Sequence, residues 1–65
     1  MPINFYRVSI SGILKDKNIF VKIFHVVSVS DEIACEKGES MAWVDNDIRI
    51  ILSAQASLLF ENIII

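Results

Sequence analysis

Ile19-Phe20-Val21-Lys22-Ile23-Phe24-His25-Val26-Val27-Ser28-Val29 is the stretch whose reading decides the fold. Its odd positions form a β-branched row, Ile19, Val21, Ile23, Val27 and Val29, interrupted at His25. Such residues pack well on a pleated surface and lose rotamer freedom in a helix. The even positions, Phe20, Lys22, Phe24, Val26 and Ser28, are mixed. A strand with one apolar face and one half-apolar face needs cover on both sides. The rest of the chain has to supply that cover.

Immediately upstream, Lys15-Asp16-Lys17-Asn18 is a polar break. Asp and Asn favour turns because their side chains bond nearby backbone and tolerate left-handed conformations. Before the break, Ile3 to Leu14 alternates as a strand. Tyr6, Val8, Ile10 and Leu14 share one face with Gly12, while Phe5, Arg7, Ser9, Ser11 and Ile13 take the other. Pro2 precedes this strand, where its missing N–H costs least. Gly12 fits a bulge or a close backbone approach. A four-residue hairpin loop pairs Leu14 with Ile19. It sets Gly12 opposite Val21, Ile10 opposite Ile23, Val8 opposite His25 and Tyr6 opposite Val27, so the strongly apolar positions of both strands meet on one face.

Downstream, the punctuation is helical. Ser30 suits an N-cap, Asp31 and Glu32 the first turn, Lys37 the last turn and Gly38 the C′ position. The spacing predicts a short helix over about residues 31–37. A hairpin turning at Lys37-Gly38 is the rival, and the order of charges along the macrodipole favours the helix. Ser40–Val44 and Ile48–Leu52 then read as a second hairpin about Asp45-Asn46. That pairing sets Val44 opposite Asp47, Trp43 opposite Ile48 and Met41 opposite Ile50.

From Ile48 the alternation is long. Ile48, Ile50, Leu52, Ala54, Ala56, Leu58 and Phe60 are all apolar, and most residues between them are polar. The pattern predicts strand, with a bend at Ala54-Gln55-Ala56-Ser57, whose β propensity is poor. Arg49, Ser53, Ser57 and Glu61 would form a polar stripe on a helix, which is the alternative. Ile63-Ile64-Ile65 is expected to dock on the sheet as a strand, since an exposed Ile triplet invites aggregation.

The chain has 65 residues, so it is read as a single small domain over 1–65. A domain of that size buries only about 60% of the surface its unfolded chain exposes. Cys35 is the lone cysteine, which excludes a disulfide within the chain, and one Cys with one His cannot furnish a four-ligand zinc site. The sequence is 54% hydrophobic, above the roughly 45–50% usual for soluble domains. The surplus points to a partner subunit. A net charge of −2 argues against a protein held to nucleic acid mainly by phosphate contacts. No apolar run reaches the ~20 residues of a spanning helix. The start, Met-Pro-Ile-Asn-Phe-Tyr-Arg, lacks the pattern of a secretory signal, and a lone unpaired cysteine fits the cytoplasm.

Residues able to carry chemistry are few. His25 could act as a base or a pH switch, yet its expected neighbours, Val8, Ile10, Ile23 and Val27, include no carboxylate to orient it. Cys35 sits among Glu32, Glu36 and Glu39, which oppose the depressed pKa a nucleophile needs, so it reads as a small buried hydrophobe. Asp45-Asn46-Asp47 resembles the start of a calcium loop, but the positions that need Gly and Glu hold Ile50 and Ala56. The three glutamates read as a solvated face, and Trp43 with Met41 as core. No catalytic residue, metal site or cofactor is expected.

One constellation stands out. Phe5, Arg7, Phe20, Lys22 and Phe24 are expected on the outer face of the first hairpin, where aromatics interleaved with cations could stack single-stranded bases. The competing reading buries the phenylalanines under the helix or a second subunit, with the cations at the rim.

The sequence therefore predicts an α+β fold, mainly β: a small antiparallel sheet or partly open barrel of 4–5 strands with one short helix. The expected function is a non-enzymatic protein–protein interaction module, working as a homodimer through Leu58, Phe60, Ile63, Ile64 and Ile65. Its size and acidity fit a phage- or mobile-element-type inhibitor of a host protein. The alternatives are a single-stranded nucleic-acid binder, and a small-ligand binder or enzyme at a subunit interface using His25, Arg49 or Tyr6.

Overall fold

The computed structural model describes residues 3–44 and 47–63. These residues form strand β1 (Asn4–Leu14), strand β2 (Ile19–Ser28), helix α1 (Asp31–Trp43) and strand β3 (Ile48–Phe60). The strands make one open antiparallel sheet in the order β2-β1-β3, and the helix packs on one face. The fold is α+β and mainly β. It has three strands among the described residues rather than four or five.

The first hairpin is present, but its register is one residue away from the expectation. Tyr6 pairs with Val26, Val8 with Phe24, Ile10 with Lys22 and Gly12 with Phe20. The loop explains the shift. Lys17 donates its amide to the Leu14 carbonyl at 2.9 Å, and Leu14 donates to the Asn18 carbonyl at 2.8 Å. Lys17 is left-handed, with φ of 72°. This is a three-residue loop: a tight turn followed by a left-handed residue that makes a bulge. Asn18 is held by Asp16, donating from its amide and its side chain to the two carboxylate oxygens, each at 3.0 Å. Asn18 thus belongs to the ladder and not to the loop.

Removing one residue from the loop reverses every side chain of β2. Phe20, Lys22, Phe24, Val26 and Ser28 join Tyr6, Val8 and Ile10 on the helix-covered face. The β-branched row lies on the other face. The core is accordingly Tyr6, Val8, Ile10, Phe20, Val26, Ala34, Ala42 and Ile48.

The helix begins where expected and runs further. Ser30 caps it, its Oγ accepting from the Ile33 amide at 3.3 Å, and Ser28 Oγ donates to the Ser30 carbonyl at 2.9 Å. Gly38 does not end the helix. It lies buried in the middle, flanked by buried Ala34 and Ala42. These small residues let the helix approach β1 closely, and the tertiary contact overrides the local stop signal.

Ser40 to Trp43 is therefore helix, and the second hairpin is not formed. The expected turn at Asp45-Asn46 lies outside the described residues. β3 pairs with β1 instead, as one strand with irregularities where Arg49, Leu52 and Leu59 are extra residues. No bend occurs at Ala54–Ser57, where pairing is regular: Ile10 with Ala54, Ser9 with Gln55, Val8 with Ala56 and Arg7 with Ser57. Ala54 and Ala56 pack against the core, a role that suits their small size. Beyond β3, Asn62 donates to Asn4 Oδ1 at 3.0 Å and Ile63 to the Ile3 carbonyl at 2.8 Å. Ile63 is tied to the sheet without extending β3. The docking expected of Ile64 and Ile65 lies outside the described residues.

Candidate functional site

The reversed β2 splits the expected aromatic–cation constellation. Phe20, Lys22 and Phe24 sit on the helix side, Phe20 buried and Phe24 half-buried. The Lys22 ammonium lies 6.0 Å from the Phe20 ring centroid. Phe5 and Arg7 are on the opposite face. The five side chains form no single surface.

A different set takes their place on the open face. The Phe5 ring stacks on His25 at 5.8 Å with an interplanar angle of 13°, and lies 6.2 Å from the Phe60 ring. Arg7 pairs with His25 across the β1–β2 ladder, so the guanidinium belongs to the same end of the sheet. Towards the other end, Ser11 and Ser53 share a hydrogen bond at 2.9 Å, and Ile13 pairs with Ile50. The outer row of β2 is apolar and open to water: Ile19 is 79% exposed, Val21 64% and Ile23 51%. The alternation of β2 pointed to a buried row and a mixed row; parity, which the loop decides, put the β-branched row outside.

His25 also borders a cleft of about 630 Å³ between β2 and the helix, with Val27, Ile33, Lys37 and Met41 among its walls. Lys37 Nζ donates to the Val27 carbonyl at 2.7 Å, which ties the helix to the outer side of β2. Glu36 lines the same cleft, while the ring contact His25 makes is the stacking on Phe5. Tyr6 is buried and accepts from Asn4 at 3.3 Å, and Arg49 is exposed on β3. His25, Tyr6 and Arg49 are not brought together.

Cys35 is half-buried on α1. Burial pushes its thiol above the usual range, and the Asp31 and Glu39 carboxylates push the same way. That is the reverse of what nucleophilic activation needs. Among the described residues no three His, Cys, Asp or Glu side chains gather as a metal site. No helix among them is long and apolar enough to cross a membrane.

Of the expected oligomer contacts, Leu58 and Phe60 are both exposed on β3, and Phe60 joins the aromatic cluster with Phe5. No family model, curated protein or solved structure matches the chain.

Proposed function

We propose that the chain is a non-enzymatic protein–protein interaction module that works as a homo-oligomer. The observation that carries the interaction reading is the uncovered row of Ile19, Val21 and Ile23 on the face opposite the helix, and the homo-oligomer rests on the chain's surplus of hydrophobic residues. Single exposed aliphatic residues are ordinary on a protein surface, but a contiguous apolar row on a sheet is a contact surface. Charge is sparse there, which suits a protein partner better than a polyanion.

The test compares the wild-type chain with Val21→Lys/Ile23→Lys, both positions already facing water. Both are expected to sediment as oligomers, and the wild type to copurify a protein that the double variant, equally folded, does not retain. Retention of the same protein by the variant would remove this face from the contact.

A second reading rests on Phe5, His25, Phe60 and Arg7 at one end of the same face, since stacked rings beside a cation can hold single-stranded bases. It requires binding to a single-stranded oligonucleotide that weakens steeply with salt and is lost in Phe60→Ala and Arg7→Ala. Absence of binding at low salt disposes of it.

A further inference from the structure

The sheet has two outer edges, and they are built differently. An outer edge presents unpaired backbone N–H and C=O groups, which a second strand can pair with unless something guards them. β2 is guarded. Lys37 occupies the Val27 carbonyl, and Lys22 places a charge within the strand. β3 is guarded only at its flanks, where bulges at Arg49, Leu52 and Leu59 interrupt the edge, and not over the run from Ser53 to Leu58. From Ile50 to Phe60 it contains no charged residue, no proline and no glycine.

Which β3 groups point outward follows from the ladder. Odd β1 residues bond towards β3, as the Lys15 amide does to the Asp47 carbonyl and the Ile3 carbonyl from Ile63. Arg7, Ser9 and Ser11 face Ser57, Gln55 and Ser53, so those β3 residues spend their backbone groups on β1. Ala54 and Ala56, between them, turn theirs outward. The ladder is regular over this run, between the bulges at Leu52 and Leu59.

The same run is palindromic. Leu52-Ser53-Ala54-Gln55-Ala56-Ser57-Leu58 reads identically in both directions, Ile51 and Leu59 flank it, then Ile50 and Phe60, then Arg49 and Glu61. Antiparallel pairing of two copies about Gln55 therefore matches like with like. Ala54 of one copy faces Ala56 of the other, and both are residues whose N–H and C=O point outward. The parity of the edge and the centre of the palindrome agree. Gln55 meets its own copy at a non-hydrogen-bonded position, where side chains stand closest and two carboxamides can bond each other.

We propose that a second copy of this chain pairs with the β3 edge, antiparallel and two-fold symmetric about Gln55, to make one continuous six-stranded sheet. The arrangement rests on the homo-oligomeric reading above and names its contact. It sets Leu52 and Leu58 of the two copies opposite each other at the ends of the paired run, where the bulges stop the ladder, and leaves both β2 strands at the rims.

Four samples test it by sedimentation equilibrium and non-reducing gels. The wild type is expected to be a dimer. Ala56→Pro removes an outward N–H that β1 does not use, and is expected to weaken dimerisation about a hundredfold while far-UV dichroism is unchanged. Gln55→Cys in a Cys35→Ala background is expected to form a covalent dimer under mild oxidation, because the two Cα atoms of such a pair lie about 4.5 Å apart. Val21→Cys in the same background, on the guarded edge, should stay reduced. If Ala56→Pro fails to fold, the cysteine pair still decides. A monomeric wild type overturns both the contact and the homo-oligomeric reading. A dimeric wild type with Val21→Cys cross-linked and Gln55→Cys not overturns the β3 contact alone.

Discussion

Gly38 of the helix rests on Val8 of the central strand. A Cβ built on Gly38 would stand 2.6 Å from Val8 Cγ1 and 3.4 Å from Ile10 Cδ1. Val8 and Ile10 are fully buried and have nowhere to retreat. Ala is the better helix former by about 1 kcal/mol, but overpacking a filled core costs about 1–3 kcal/mol. Gly38→Ala is therefore expected to lower stability by about 1 kcal/mol or more in urea unfolding. In a Val8→Ala background the same substitution should become neutral or stabilising, since the obstructing methyl is gone.

Gly12 is more tightly confined. A Cβ there would meet the Ile50 carbonyl oxygen, with Phe20 Cε1 at 2.9 Å and the Ile51 Cα at 3.0 Å. Two of these neighbours are backbone, so relief requires β1 and β3 to separate. Gly12→Ala is expected to cost about 3 kcal/mol or more, beyond Gly38→Ala, and to broaden amide spectra along β3.

Lys17 carries a left-handed backbone at a position where glycine has no steric penalty. Lys17→Gly is expected to raise stability by roughly 0.5–1 kcal/mol, net of the greater freedom glycine has when unfolded. Thermal unfolding of the two proteins side by side reads the difference. A loss of stability would show that Lys17 contributes through its side chain.

Ser30 satisfies the Ile33 amide at the start of the helix. Ser30→Ala should cost about 1 kcal/mol, whereas Ser30→Asp should retain most of the stability. Hydrogen exchange ought to localise the Ser30→Ala effect to the first helical turn.

The Cys35 thiol, raised by burial and by Asp31 and Glu39, stays neutral to higher pH than an ordinary cysteine. Its labelling by iodoacetamide at neutral pH should lag behind that of an unfolded control. The lag should shrink as pH climbs past the ordinary value of 9.0. Asp31→Asn should speed labelling modestly, by removing one of the two charges that oppose the thiolate.

Local chemistry was legible where it was local. The alternation of β1 and β2, the Ser30 cap and the strand nature of β3 all follow from neighbouring residues, and the structure contains each. What failed needed a distant partner. Gly38 looks like a helix end until Val8 is placed beneath it, and Ala54–Ser57 looks like a bend until the helix is seen to need small residues there. The register failed for a subtler reason: a loop of three residues and a loop of four suit Lys15-Asp16-Lys17-Asn18 almost equally, because Lys in a left-handed conformation is uncommon. That one ambiguity misplaced Phe20, Lys22 and Phe24, and with them the candidate surface.

The three-residue loop also bears on how this protein can change by insertion. Loops ordinarily absorb an added residue at little cost. This one sets the parity of the strand that follows. A single codon inserted between Lys15 and Asn18 would offer two outcomes: a bulge that takes up the extra residue, or a β2 turned over so that Ile19, Val21 and Ile23 face the helix and Lys22 faces water. The second exchanges the hydrophobic row for Phe20, Phe24 and Val26 at the surface, a new exterior from one frame-preserving event. A substitution scan would find this segment tolerant, and an insertion scan would find it decisive.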